Sequence, residues 1–302
     1  MYTPTTFKIR HIIAKSLNHP ISPMSQILII ARLTFFEAAR RRILLAALVL
    51  SIAFLIVYGI GFNYIHIDLV RESGGRFLVV QEIHNFLTLA GLYAVNFLTI
   101  MMTGLTSVDT ISGEINSGTI QSIVTKPIRR WEVVLGKWLG FMFMLTLYVL
   151  LMAGGVQAIV YSIGDYLVPG YWRGLGLIWL NGALMLSVSF VGGSMLSTLA
   201  NGVLVFGLFG VAFVGGWIEQ IGSFIQNQSA INIGILSSLI LPGEALWKRA
   251  AFEMSSPVVT AIGFSPFTSS QSVPSPMMIW YAMGYAIVMI LWAIRVFSRR
   301  DL

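Results

Sequence analysis

The pair Gly136–Lys137 invites comparison with a phosphate-binding loop, in which backbone N–H groups cradle phosphates and the lysine reaches the terminal ones. The comparison fails on both flanks: position 131 is Trp where the first glycine would stand, and position 138 is Trp where Ser or Thr would hold Mg2+. By that route the chain cannot bind ATP, so ATP-driven work would need a second subunit. Metal chemistry is equally thin. His11, His19, His66 and His84 show no two-on-one-helix spacing, and only His66-Ile67-Asp68 sets an imidazole near a carboxylate, a pattern an ordinary polar loop explains. The 14 methionines, among them Met101, Met102, Met142, Met144, Met152, Met185 and Met195, offer soft ligands to Cu(I), yet methionine is also common flexible filler in apolar packing. With no cysteine, disulfides, thiolate metal sites and cysteine nucleophiles are excluded. No metal site is expected.

The acids give no catalytic pair. Glu219 falls near the outer end of an apolar run and Asp165 in a loop, so the ionisable groups that proton-coupled carriers hold at membrane depth are not evident. A lipid-modifying transferase lacks its histidine or carboxylate cluster near the head groups. What remains is uncharged: Asn96, Gln157, Asn181 and Ser194, with Ser187, Ser189 and Thr198 beside them, all inside apolar runs. The first four are the candidate pathway residues. Their alternative role is hydrogen bonding between helices.

The elements that must position these residues are built for lipid. The chain has 302 residues, 56% hydrophobic and only 10% charged, with a mean hydropathy of +0.82; a soluble domain carries about 25% charge. Continuous apolar runs at 43–62, 83–106, 133–163, 177–199, 203–221 and 277–296 approach or exceed the roughly 20 residues that cross a bilayer as a helix. Because they do not alternate, a barrel is excluded. The expectation is an all-α integral membrane protein, a single domain over 1–302 with six transmembrane helices. Of the 19 Lys and Arg residues, 14 fall on the side shared by the termini and the segment 107–132, which places both termini in the cytoplasm. The net charge of +7 then reflects topology and contact with anionic membrane lipid, not a nucleic-acid partner. Residues 1–23 lack the apolar core of a signal peptide, so the first run is expected to be retained.

Three segments depart from plain spans. In the lead-in 1–42, Ile27, Ile30, Ala31, Thr34, Phe35 and Ala38 share a face, as in a helix lying in the membrane interface or a cytoplasmic extension of the first span. The connection 222–276 holds apolar stretches at 231–241 and 245–252 around Pro242-Gly243; the first is too short to span and suits an external re-entrant hairpin, although Lys248 and Arg249 sit awkwardly there. The third is the polar interlude 109–140. Ile111, Ile115, Thr119, Ser122 and Ile123 recur at helical spacing, Gly113 and Gly118 weaken that helix by about 1 kcal/mol each, and Pro127 breaks it. A second helix can start at Pro127 and run into the third span, with Trp131 and Trp138 at the interface and Lys137 snorkelling.

Glu114-Ile-Asn-Ser-Gly118-Thr119, then Lys126-Pro127 and Gly136-Lys137, resembles the first cytoplasmic loop of bacterial type-two ABC-transporter permeases, most closely the branch of the permease in the copper-processing system that matures nitrous-oxide reductase. The resemblance implies that this loop is a coupling helix docking on a separate ABC ATPase subunit, which carries ATP and Mg2+, and that a second permease copy, identical or related, completes an exporter in the bacterial plasma membrane. By the same resemblance Glu114, Gly118, Thr119, Lys126, Pro127 and Arg130 form the ATPase-coupling set: Glu114 an acceptor toward the ATPase, Gly118-Thr119 an approachable surface, Pro127 a rigid turn. A secondary carrier and a non-transporting membrane scaffold are the alternatives.

Overall fold

The computed structural model describes residues 23–72, 77–116, 129–256, 264–265, 268–269 and 273–300. Along the chain run α1 (Pro23–Ala39), α2 (Arg42–Glu72), α3 (Phe77–Asn116), α4 (Arg130–Gly164), α5 (Tyr171–Met195), α6 (Thr198–Phe224), α7 (Gln228–Ile240), α8 (Gly243–Met254) and α9 (Met277–Arg299). A two-residue antiparallel ladder of β1 (Phe264–Ser265) and β2 (Thr268–Ser269) precedes α9. Six helices, α2 to α6 and α9, are long and apolar enough to cross a membrane.

The most apolar window of α5 is 83% buried, against 11% for that of α2. A helix apolar on every side must sit among other helices, and α5 is the hub: Leu184, Met185, Leu186 and Phe190 are fully enclosed by α3, α4, α6, α8 and α9. Toward the outside, α2, α6 and α9 leave long stripes of Leu, Ile, Val and Trp exposed.

Several helices overrun the expected spans. At about 1.5 Å per residue the 40 residues of α3 reach roughly 60 Å, twice a hydrocarbon core of about 30 Å. So 111–116, expected as the start of a separate short helix, is the end of α3. Gly113 is tolerated there because any side chain at that position would strike the Asp109 carboxylate. The break expected at Ala200–Gly202 lies earlier, at Leu196-Ser197: Ser197 caps α6 by accepting from the Ala200 N–H at 3.5 Å, and Asn201 is inside the helix.

The lead-in helix also differs from expectation. The face bearing Ile27, Thr34 and Ala38, read as the lipid-facing one, is buried against α4. Two glycines of α4 permit the contact, since a Cβ at Gly140 would stand 2.6 Å from the Ala31 carbonyl oxygen and one at Gly136 2.8 Å from Ile30. The side of α1 left exposed is a different apolar one, Leu28, Ile29, Leu33 and Phe36, with Arg32 over the Phe36 ring.

Between α6 and α9 the chain folds back: α7 and α8 meet at 106°. The start of α7 lies at Gly222 near the end of α6, Gly243 reaches Asn181 halfway along α5, and Met254 returns to Gly174 at the start of α5. Because α5 and α6 run antiparallel, both ends of the pair come back to one end of the bundle. That geometry is a hairpin inserted part-way and not a broken span. This end is called the hairpin end below, and the opposite one, where α3 ends and α4 begins, the loop end.

Candidate functional site

At the loop end, the last turns of α3 and the first turns of α4, which flank residues 117–128 in the chain, form the two limbs of a stem. Glu114 and Lys137 join the limbs in an ion pair whose side chains are 13% and 7% exposed. Lys137 therefore reaches inward and does not snorkel. Trp138 likewise turns in, its indole N–H donating to Ser187 Oγ at 3.1 Å. Glu132 accepts from the Arg129 N–H at 3.0 Å, satisfying one of the orphan donors at the start of α4.

Every neighbouring helix is tied to this stem. From the α1–α2 corner, Arg41 pairs with Glu37 at 2.8 Å and with Asp109 of α3 at 3.5 Å. Thr198 of α6 donates to Asp109 Oδ1 at 3.0 Å and shares a 3.0 Å hydrogen bond with Ser112. One amide nitrogen, Asn201 Nδ2, bonds the Val108 and Ser189 carbonyls, each at 3.0 Å, and so links α6 to α3 and α5. Ser107 donates to Ser189 at 2.8 Å. Arg130 at the head of α4 donates to the Arg300 carbonyl at 2.5 Å and the Ser298 carbonyl at 3.4 Å, while the Arg300 guanidinium reaches the Ser194 carbonyl at 2.8 Å. The result is a collar of ion pairs and hydrogen bonds that cross-braces these helices.

Of the six coupling residues read from the sequence, Glu114 and Arg130 stand in this collar. One oxygen of the Glu114 carboxylate is engaged by Lys137 of α4. Gly118, Thr119, Lys126 and Pro127 lie outside the described residues. The four pathway candidates are buried and engaged: Asn181 donates to Asn96 at 3.0 Å, Gln157 donates to the Tyr166 carbonyl at 2.9 Å, and Ser194 donates to the Val191 carbonyl of its own helix at 2.7 Å. None of them lines either of the two cavities described along the bundle.

Composition hid the hairpin end altogether. Lys248 Nζ of α8 meets Glu219 Oε2 of α6 at 2.9 Å, both side chains being more than nine-tenths buried, and Glu244 is buried beside them. Arg249 pairs with Glu253 and reaches the Pro274 carbonyl at 3.4 Å. These contacts resolve the awkward position of both basic residues. Asn85 ties α3 to the hairpin, donating to the Met254 carbonyl at 3.0 Å and to the Tyr166 hydroxyl at 2.9 Å. Burial pushes the Tyr166 phenol up to about 12, so it stays neutral as that acceptor. His66 and His84 face one another, Nδ1 to Nε2, at 3.0 Å. Among the described residues no group of three His, Cys, Asp or Glu side chains is placed to hold a metal.

A polar collar on a bundle of six long apolar helices is the architecture of a membrane protein, and a family profile decides its kind. The profile for ABC-2 family transporter protein matches residues 28–302. The chain belongs to the ABC-2 transporter family. Among individually curated proteins none matches it. As an ABC-2 protein it is a multi-pass membrane subunit of an ABC transporter, a kind of subunit without a nucleotide-binding domain of its own that works with an ATPase. The failed phosphate loop at Gly136-Lys137 agrees with that division of labour.

Proposed function

We propose that the chain is the permease subunit of an exporter in a bacterial plasma membrane, with residues 117–128 docking a separate ATPase that carries ATP and Mg2+. The observation that carries this reading is the collar: both limbs of the loop are locked to α1, α5, α6 and α9, so a push on the loop is delivered to the whole bundle. Gly118, Thr119, Lys126 and Pro127 form the docking surface, and Glu114 and Arg130 stiffen the stem behind it. The 14 of 19 basic residues on the loop side support a cytoplasmic location for the loop and both termini. On that basis the exposed Leu28, Leu33 and Phe36 of α1 lie in the inner interface, and α7–α8 is a re-entrant hairpin entering from outside.

The four buried amides and hydroxyls serve helix packing, and the pathway forms between this chain and a second permease copy. Placement beside the copper-processing branch rests on the loop motif alone.

The test uses the absence of native cysteines. A cysteine at Thr119 carrying a photo-crosslinker is activated in membranes of the native host, with one at Gln228 on the hairpin as control. Capture of an ABC ATPase from Thr119 and not from Gln228 is expected. A folded, labelled protein that captures none from Thr119 would overturn the docking assignment and favour a carrier or scaffold.

A further inference from the structure

The hairpin end contains a cavity of about 490 Å³, bounded by α7, the outer part of α6, residues 273–275 and the first turn of α9. Pockets that take small molecules occupy about 300–1,000 Å³. Most of the wall is hydrocarbon and thioether, including Ile231, Ile235, Leu239 and Met278. Tyr281 closes one side, its hydroxyl donating to the Leu239 carbonyl at 2.6 Å. Among the described residues one carboxylate, Glu219, lines this wall, and it is 7% exposed.

Of the buried ion pair at this wall, the acid lines the cavity and its lysine partner stands behind it. Glu219 is paired with Lys248, and Glu244 precedes Lys248 by one turn of α8. The Glu244 side chain packs on Gly216, about one turn before Glu219 on α6, so both carboxylates flank the same ammonium. Arg249 is turned to Glu253 and the Pro274 carbonyl. Residues 257–272, which follow, contain no Lys or Arg. Charges buried this deeply cost several kcal/mol each and are retained in membrane proteins chiefly where they do work.

We infer that this cavity binds a lipophilic monocation, with its hydrocarbon or aromatic body against the Ile, Leu and Met wall and its positive centre toward Glu219. Two sources share that chemistry: the ammonium head group of a membrane lipid and a small hydrophobic amine. The site is separate from the collar, and its occupancy requires no ATPase, so its failure and that of the docking assignment are distinguishable.

The test is equilibrium dialysis of the full chain in dodecyl maltoside micelles, corrected with empty micelles, against tetraphenylphosphonium and its shape-matched opposite, tetraphenylborate. Saturable binding of one phosphonium per chain is expected, with none of borate. Glu219→Gln should weaken it by about tenfold or more, and Leu239→Trp should do the same by filling the space. Asp165→Asn, which removes the same charge at an exposed turn outside the cavity wall, should leave it unchanged. If Glu219→Gln does not fold, Leu239→Trp decides. Absence of saturable binding, equal binding of the borate, or phosphonium binding undiminished in the folded cavity variants would overturn the site. Lipids co-purifying with the protein then identify the source. Enrichment of an ammonium lipid that disappears in Glu219→Gln assigns the site to a lipid, and its absence alongside intact phosphonium binding assigns it to a small cation; either result upholds the site.

Discussion

Replacing Lys137 with Met should destabilise the protein by about 3 kcal/mol. Its ammonium is the cationic partner of Glu114, and with side chains 7% and 13% exposed the pair is effectively buried. Deleting one member of a buried pair costs about 3–5 kcal/mol, because the remaining charge is stranded in a poor solvent, while replacing both members with neutral groups of similar volume is often neutral or stabilising. The slight exposure of Glu114 sets the expectation at the lower end. The double variant Glu114→Gln with Lys137→Met should therefore regain most of the loss and lie within about 1 kcal/mol of wild type. At roughly 2–4 °C per kcal/mol for a chain somewhat smaller than this one, the single variant should melt about 5–10 °C lower in detergent and the double variant close to wild type. Thermal unfolding followed by circular dichroism measures both. ATPase stimulation by the reconstituted complex is read alongside, because a pair that only stiffens the stem restores coupling when stability returns. If Lys137→Met melts like wild type, or the double variant loses the sum of the two single effects, the carboxylate is not held by this lysine and the collar argument fails at its centre.

Two further substitutions probe neighbouring braces. Gly140→Val places a branched side chain where a single Cβ already comes 2.6 Å from the Ala31 carbonyl oxygen, so α1 should be displaced from α4 at a cost of about 1–3 kcal/mol, seen as new protease cleavage after Arg32 or Arg40 with α2 to α9 intact. Asn201→Leu keeps volume but removes both donors to the Val108 and Ser189 carbonyls, and a loss of about 1–3 kcal/mol in thermal stability is expected; wild-type melting would show that those carbonyls are content with their helical partners.

What the sequence made legible, and what it did not, divides by range of interaction. Span number and helical class are local properties: a continuous apolar run satisfies its own backbone groups and needs no partner to be recognised. The motif Glu114 to Gly140 also pointed to the family. Side-chain direction was another matter. Lys137 and Trp138 look like interface residues because their chemistry suits an interface, yet whether they face lipid or α5 depends on how α3 and α5 pack beside them. The same limit hid Asn201, which in sequence resembles a turn and in the fold joins three helices. It also hid Glu219 and Lys248, 29 positions apart, which meet only because the hairpin folds back. A local signal for the latter existed: Glu244 and Lys248 stand four apart on one face of a strongly amphipathic helix, unusual for a loop.

The two polar centres occupy opposite ends of one bundle, and α3 belongs to both. Near its start, Glu82 accepts from Ser256 at 2.5 Å and Asn85 holds the Met254 carbonyl; near its end, Asp109 and Glu114 enter the collar. The 32 residues from Glu82 to Glu114 correspond to about 48 Å of continuous helix. The bond from Asn181 of α5 to Asn96 lies between these two sets, and the tip of the hairpin, Gly243, rests on that same Asn181. A tilt of α3 forced at the loop would thus be felt both where Asn85 grips the end of the hairpin and where Asn181 supports its tip. Uncharged side chains suit that position. A hydrogen-bonded amide pair holds two helices in register at a modest cost, about 1–2 kcal/mol, that a rocking motion can afford to break and remake, whereas a buried ion pair there would lock them. The ion pairs are instead placed at the two ends, and the Asn181–Asn96 pair lies between them.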